Sequence, residues 1–538
     1  MFVRTKSYKN KDGSLRHYLF LVATKRIAGR VRQVTVANFG RIEDADKVLP
    51  DVVEKLSKHS SKLKVIKLCS EMRSDWTKEY GPVIIFKKLW ERIGLGSIFK
   101  RCSDKRKLGF NAGEIIYSMV LNRVLEPKSE KGTQEWIKGV YGLERTGDLH
   151  KWYRALDFLI ESKERLEKEL YNNQRDLFHQ EIDMVLMDTT SVVYYGDGGK
   201  AEDILDYGYS KQKRFDLKQV IVGIFMTKEG LPIGHEVYRG NTNDINAFKE
   251  MIKIVKLKYK IRRVIIVCDR GMISEGNIRV LENEGYEYIV GIKMRQLKRE
   301  RSEKILSPRG MTSIGSQLRG KEIRIDNRRL VACYSEKEAE RDRRKREEII
   351  ARLIEKLKTQ GLKSLLMHKE YSKYVKIKAE KPELDKDKVK KEELYDGKFI
   401  LQTNTKMNWK EIVLAYKDLW QVEAAFRTLK SELEMGPIYH YSERRIRAHI
   451  FVCFLALVLK VIFQKELLNI NKSLSVNKVL EDIKKIKAVQ VTLQDIPIVL
   501  RTELEGNAHH AFKAVGLKIP PRLLSEVSNI PESVVVRL

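Results

Sequence analysis

Apolar positions recur every seven residues along 408–433, NWKEIVLAYKDLWQVEAAFRTLKSEL, at Ile412, Leu419, Phe426 and Leu433. Seven helical residues turn through about 700°, so such a series drifts by only about 20° per step and forms one stripe facing a core. The pattern predicts a single long helix. Asn408 is its expected N-cap, Glu411 completes a capping box three residues on, and Gly436-Pro437 stop it. A second series, Tyr416, Glu423 and Lys430, is offset by four residues, about 40° around the axis. It runs along the edge of the buried face, where Arg427, one turn past Glu423, joins it. A carboxylate, a phenol and two cations thus share one half-buried line. Pairing at i,i+4 on a surface helix accounts for the same residues when they are taken alone, at roughly a few tenths of a kcal/mol per pair.

Upstream, the period changes twice. Residues 1–45 read as a small basic β module, with strands in HYLFLVAT and VRQVTVANFG and a turn at Asp12-Gly13. Residues 46–180 read as mostly helical, through VIIFKKLWERIGL, NAGEIIYSMVLNRVL and ESKERLEKELYNNQRDLFHQ. This region is expected either to bind DNA ends or to be a helical scaffold. From 181 the pattern turns to strands: IDMVLMD (182–188), LKQVIVGIFMT (217–227) and LPIGHEVYRG (231–240), the last two joined tightly at Lys228-Glu229-Gly230. A helix in NAFKEMIKIVKLKYK, a strand in RVIIVCD (263–269), a helix in ISEGNIRVLENEG and a strand in EYIVGIK (287–293) follow.

Three strands, helix, strand, helix, strand is the order of a ribonuclease-H-like sheet, with 408–433 as its last helix. The expected class is therefore α/β: a ribonuclease-H-like mixed sheet flanked by helices, with an N-terminal strand-plus-helix region. The first part of the core spans 181–294 and the second 398–465, the latter reopening with the strand FILQTN. Between them lies a charged insertion, 295–397, whose SEKEAERDRRKREEIIARLIEKLK should be helical. Residues 466–538 read as a separate C-terminal tail.

Composition narrows the partners. Over 538 residues, Lys+Arg total 105 against 73 Asp+Glu, a net charge of +32. This points to a polyanion, most commonly nucleic acid. The most apolar run, IFVCFLALVL (450–459), is too short to span a bilayer and reads as a core helix. The N-terminus lacks the apolar stretch of a secretory signal. Five cysteines without a CxxC pair argue against a disulfide framework or a structural zinc site and fit a reducing cytoplasm.

Two aspartates change the reading of the long helix. Asp188 ends the first core strand and Asp269 the fourth, and in this topology those strands are neighbours. Glu423 on the crossing helix is the third carboxylate. Three carboxylates without His or Cys call for a hard divalent cation, Mg²⁺ or Mn²⁺. Two such ions about 3.5–4 Å apart can activate an attacking oxygen and stabilise a leaving 3′ oxygen. An Asp at a strand end is often only a turn or cap residue, and Asp183, Asp216 and Asp244 are spare candidates nearby.

MDTTS at 187–191, YGYSKQKRFDLKQV at 207–220, GLPIGHEVYRGNTND at 230–244 and VIIVCDRGM at 264–272 together resemble DDE transposases of bacterial insertion sequences. YKDLWQVEAAFRTLK resembles the Tyr-x2-Arg-x3-Glu-x6-Lys signature of a subgroup with a β-rich insertion before the glutamate. The resemblance covers roughly 180–460. It implies Asp188, Asp269 and Glu423 as catalytic, metal-binding residues, and Tyr416 and Lys430 as contacts to transposon-end phosphates. Arg427 is added here as a cation on the same edge. Leu419 stands where the signature has Arg, with Arg427 or Lys417 as possible substitutes, and Gln212 and Phe215 also depart from the pattern.

The resemblance further implies cleavage at the element's ends and 3′-OH strand transfer into double-stranded target DNA. The expected protein works in the bacterial cytoplasm at the nucleoid, away from membrane, as a homodimer on DNA. Some relatives flip a base onto an aromatic residue; Trp409 and Trp420 are the candidates, with packing favoured for Trp420. Two other readings stay open: a metal-dependent nuclease or decayed copy without strand transfer, and a non-catalytic DNA-binding regulator.

Overall fold

The computed structural model describes residues 2–9, 15–27, 30–42, 73–104, 106, 108–143, 147–178, 184–196, 203–211, 213–258, 265–269, 272, 274–294, 305–315, 317–359, 370–378, 381–493 and 496–524. The Asp12-Gly13 turn, the helical expectation over 46–72, Cys69, Asp183, Gln212 and the end of the tail from 525 lie outside them. The chain divides into two compact units. One comprises Met1–Leu177, Thr428–Gly436 and His440–Leu538; the other comprises Phe178–Arg427 and Pro437–Tyr439.

The second unit is built on a nine-stranded sheet. Its strands are β1 (Met184–Val193), β2 (Gln219–Thr227), β3 (Pro232–Arg239), β4 (Ile265–Cys268), β5 (Glu287–Ile292), β6 (Thr312–Ser313), β7 (Leu318–Ile325), β8 (Arg328–Ser335) and β9 (Lys398–Thr403). The spatial order is β6-β7-β8-β9-β5-β4-β1-β2-β3. β1 pairs antiparallel with β2 and parallel with β4, and β4 pairs parallel with β5. These five strands form the mixed ribonuclease-H-like core. Every residue of β2 is buried, as a continuous Val, Ile and Phe run at a sheet centre requires. The helices Asp244–Leu257 and Glu275–Asn283 supply the crossovers into β4 and β5, each started by a capping side chain, Asn243 and Ser274.

Two expectations are corrected here. IDMVLMD does not end a strand at Asp188: β1 continues through Thr-Thr-Ser-Val-Val to Val193, paired with β2 all the way. Only its β4 partner stops, after Met187↔Cys268. Nor is 408–433 one helix. It is two, Trp409–Lys417 and Trp420–Ser431, separated at Asp418 and Leu419. The Leu419 N–H reaches back three residues to Tyr416 (3.2 Å), and Gln421 N–H to Asp418 (2.9 Å), a tightened turn in place of the i−4 ladder. Asp, favoured at helix starts, bonds with Gln421 through its side chain and opens the second helix. The start is as expected: Asn408 and Glu411 form both halves of the capping box. The apolar stripe also survives, with Ile412, Leu419, Phe426 and Leu433 all buried.

The stretch 295–397 feeds β6, β7 and β8 into the core sheet, and β8 pairs with β9. The charged segment forms the helix Glu336–Thr359, followed by the hairpin Val375–Lys378 with Lys381–Leu384.

The first unit carries an antiparallel sheet of Phe2–Lys9, Leu15–Ile27 and Arg30–Arg41. Its helical part packs around Glu443–Ile470, whose buried Phe463 lies 5.1 Å from Phe86, ring to ring. That helix is long and apolar enough to cross a membrane, but 89% of its apolar window is buried inside the protein. Burial of each large side chain there contributes roughly 1.5–3 kcal/mol. The tail is not separate. Lys487–Leu493 pairs with both Ile496–Arg501 and Arg73–Glu79, the latter a strand within the region expected to be helical.

Candidate active site

Asp188 and Asp269 occupy equivalent places on neighbouring strands. Met187 is in register with Cys268, and each aspartate is the next residue. Adjacent strands lie about 4.8 Å apart, and parallel register partners point to the same face. Because β4 stops at Cys268 while β1 continues, Asp188 stands at the fork where the parallel ladder ends. Buried strands thus hold two carboxylates side by side at the rim, where solvent and ligands have access.

The electrostatics follow from this placement. Burial pushes the Asp188 carboxyl up to about 6, and the negative charges of Asp269 and Asp244 add to the shift. Lys211 and the Thr189 N–H, which donates to Asp188 Oδ1 at 2.7 Å, oppose it. Asp269 receives a hydrogen bond from the Tyr416 hydroxyl, 3.0 Å from Oδ1. Tyr416 is in turn stacked on Phe399 of β9, with ring centroids 5.9 Å apart.

Lys211 and Asp244 complete the surroundings of Asp188. The Lys211 ammonium donates to the Thr189 carbonyl (2.6 Å) and hydroxyl (3.1 Å), and lies 3.5 Å from Asp244 and 3.9 Å from Asp188. The Thr189 hydroxyl donates to Asp244. Sequence reasoning held Asp244 only as a spare acid and passed over Lys211. Both lie in the quoted segments, YGYSKQKRFDLKQV and GLPIGHEVYRGNTND, but only the fold shows that those segments converge on Thr189.

Glu423 is exposed in the first turn of Trp420–Ser431. The start of that helix is fixed to the β2–β3 turn, where Gln421 Nε2 donates to the Lys228 carbonyl (2.7 Å). Gly230 in the same turn has φ +77, and a Cβ there would lie 2.0 Å from Gln421 Oε1. The chain returns to the far end of β1, where the Ile438 N–H donates to Val193 (3.0 Å). The helix therefore leaves from the Val185–Thr227 end of the sheet. Glu423 is about 3 Å of helix rise past Gln421. Asp188 is about 10 Å along β1 from Val185.

The three carboxylates do not all come within 4.8 Å of one another. Among the described residues, the one group of three potential ligands that does is Glu130, His440 and His449, in the first unit. There His440 Nε2 lies 3.2 Å from Glu130 Oε1. Burial pushes His449 down to about 3, so it is neutral and can donate to the Met435 carbonyl 3.1 Å away.

Arg427 is exposed at the end of the second unit's share of the helix, and Lys430 is half-buried in the first unit's share. Leu419 is only 8% exposed, so it faces the core rather than a ligand. Lys417 is paired with Glu338 and lies over the Phe399 ring. Trp420 reverses the packing expectation, being 62% exposed, while Trp409 is half-buried beside Gly320.

The donor set at the rim suits a hard cation. Two adjacent carboxylates that repel each other, one of them made costly to ionise by burial, are stabilised by positive charge, and their oxygens favour a hard metal.

The transposase DDE domain family matches residues 179–459, and the N-terminal domain of IS1634 family transposases matches residues 3–67. No curated protein matches the chain. Among solved structures, the cryo-EM structure of a piggyBac transposase synaptic complex with hairpin DNA is similar over 75% of this chain and 79% of that one, at 10% identity and a TM-score of 0.38. With more than half its length matched to the transposase DDE domain, the chain belongs to the DDE transposases, metal-using enzymes of DNA transposition that break and rejoin phosphodiester bonds.

Proposed function

We propose that Asp188, Asp269 and Glu423 together hold a pair of Mg²⁺ or Mn²⁺ ions and that the chain uses this site to cut the ends of its element and join the freed 3′ hydroxyl to target DNA. The observation that carries the reading is the register of β1 and β4, which sets Asp188 beside Asp269 at the end of a parallel ladder. When bound, the ions lower the pKa of an attacking water and neutralise charge on the leaving oxygen.

The protein's own groups do the rest. Tyr416 fixes one carboxylate of the pair by donating to Asp269. Arg427 and Lys430 supply cations for the transposon-end phosphates, with Tyr416 as a further contact. In the first step water loses a proton and its oxygen bonds to phosphorus. The P–O3′ bond opposite breaks, leaving a 3′ hydroxyl and a 5′ phosphate. In the second step that 3′ oxygen loses its proton and attacks a target phosphodiester in line, and the target's own 3′ oxygen leaves with a proton. Bond count and charge balance in both steps, and no nucleotide cofactor is consumed.

Glu423 joins the pair as DNA binds. Residues 46–180 carry end recognition, 1–45 add a basic sheet, and 295–397 widen the core. The assembly on DNA is a homodimer, since two ends must be cut together, and it works in the cytoplasm at the nucleoid. The test is a plasmid carrying the gene with its native flanking DNA. Excision and 3′-end joining with Mg²⁺ support the reading, whereas nicking without joining favours the nuclease alternative.

A further inference from the structure

We propose that Lys211 grips the non-bridging oxygens of the reacting phosphate, and that Thr189 and Asp244 hold it in place for that task. The proposal rests on the reading of Asp188 as a metal ligand.

Lys211 is fixed from two directions. Its backbone N–H donates to Ser191 Oγ (2.9 Å), stapling its segment to β1 just beyond Asp188. Its ammonium then turns back along the strand to the Thr189 carbonyl (2.6 Å) and hydroxyl (3.1 Å). An ammonium has three donors, and Thr189 receives two. The Thr189 hydroxyl donates its own hydrogen bond to Asp244, so Asp244 orients Thr189 as well as attracting the cation from 3.5 Å.

A lysine retained simply to neutralise Asp188 would be expected in direct contact with it. Here the nearest approach to Asp188 is 3.9 Å, and the shortest bond goes to a backbone carbonyl. The head group is at the rim, with 31% of the side chain exposed. So placed, it repels any cation that Asp188 binds, a standing disadvantage for metal affinity. What offsets it is the reaction. In-line displacement spreads negative charge over the equatorial oxygens of phosphorus, and a preorganised ammonium within reach of them stabilises that charge most when it is greatest. The helix break between Lys417 and Leu419 supplies no cation for this role. Leu419 faces the core, and Lys417 is committed to Glu338 and the Phe399 ring.

The two effects of Lys211 have opposite signs, and this makes them separable. The full-length Lys211→Met protein is titrated with Mn²⁺ in a calorimeter without DNA, and its cleavage of the gene-bearing plasmid is followed at saturating Mn²⁺. The expected result is Mn²⁺ binding at least about threefold tighter, with cleavage slower by about 10²-fold. Lys211→Arg should retain cleavage within about tenfold because it keeps the charge. Asp244→Asn should slow cleavage by less than Lys211→Met, because it loosens the Thr189 hold on the lysine, and should weaken Mn²⁺ binding, because it removes a negative charge near Asp188. A merely structural lysine gives the other pattern, weaker metal binding together with slower cleavage, and that result overturns the proposal. Unchanged cleavage in Lys211→Met overturns it too. Asp188→Ala, run in parallel, separates the two levels. If that variant still binds Mn²⁺ and cuts, the reading of the acids has failed, and the proposal with it. If Asp188→Ala is dead while Lys211→Met behaves as wild type, only the proposal falls.

Discussion

The hydroxyl of Tyr416 and the carboxylate of Asp269 are joined across 147 positions of chain by a 3.0 Å hydrogen bond. It links the last turn of one helix to the end of a core strand, and it places a phenol donor on the carboxylate proposed to bind metal. Its loss should leave the fold intact, since Tyr416 remains stacked on Phe399 through its ring. Tyr416→Phe is therefore expected to slow cleavage by roughly 10- to 150-fold, the value of one hydrogen bond to a charged group. Parallel cleavage kinetics and thermal melts check this.

Asp188 ties stability to pH with a definite sign. Its carboxyl rises from 3.8 to about 6 in the fold, chiefly by burial. The folded state thus prefers the protonated form. The stability this lends is complete below the unfolded value near 4 and is lost as pH rises through about 6. Asp188→Asn removes the buried charge, so the metal-free variant should melt roughly 2 °C or more above wild type at pH 8. At pH 4 the gain should vanish. In the wild type, Mn²⁺ binding should weaken as pH falls below about 6, because the proton competes for the same oxygen.

Gly230 pins the helix that carries Glu423. With φ +77 a side chain there is strained, and its Cβ, 2.0 Å from Gln421 Oε1, would push the Gln421 amide aside. Gly230→Ala should destabilise the protein by at least about 1 kcal/mol. It should also reduce cleavage, because the Gln421 anchor must move and Glu423 with it. Denaturant melts and plasmid cleavage read the two effects.

Leu419 cannot be returned to the arginine of the related signature without penalty. It is 8% exposed and part of the apolar stripe, so Leu419→Arg forces a charge into the core. The expected loss is roughly 2–4 kcal/mol, with no gain in cleavage rate. A stable, faster Leu419→Arg enzyme would show that the helix break is easily rearranged.

Much of the core was legible in the sequence, for local reasons. β-branched runs marked β1, β2, β4 and β5, and the order of strands and helices placed Asp188 beside Asp269. The Asn408–Glu411 capping box was equally plain. The break at Asp418-Leu419 was not, because neither Gly nor Pro marks it. What sets it is Asp418 acting as a second helix start and Gln421 bonding to Lys228, a contact between distant segments. The extension of β1 past Asp188 was hidden by reading the acid as a terminus, although Thr-Thr-Ser-Val-Val is itself strand-prone. Lys211 and Asp244 were invisible for another reason. They act through Thr189, and one sequence does not reveal which of its 105 basic residues folds back onto a given strand.

The most direct measurement is single-turnover cleavage of the gene-bearing plasmid by full-length Asp188→Ala, Asp269→Ala and Glu423→Ala, each compared with wild type in Mg²⁺ and in Mn²⁺. DNA binding is followed by mobility shift. Three ligands of one ion pair predict that each substitution lowers the rate by on the order of 10³-fold or more while DNA affinity stays within a few-fold of wild type. A variant of any one of the three that keeps its rate within about tenfold of wild type contradicts the shared site.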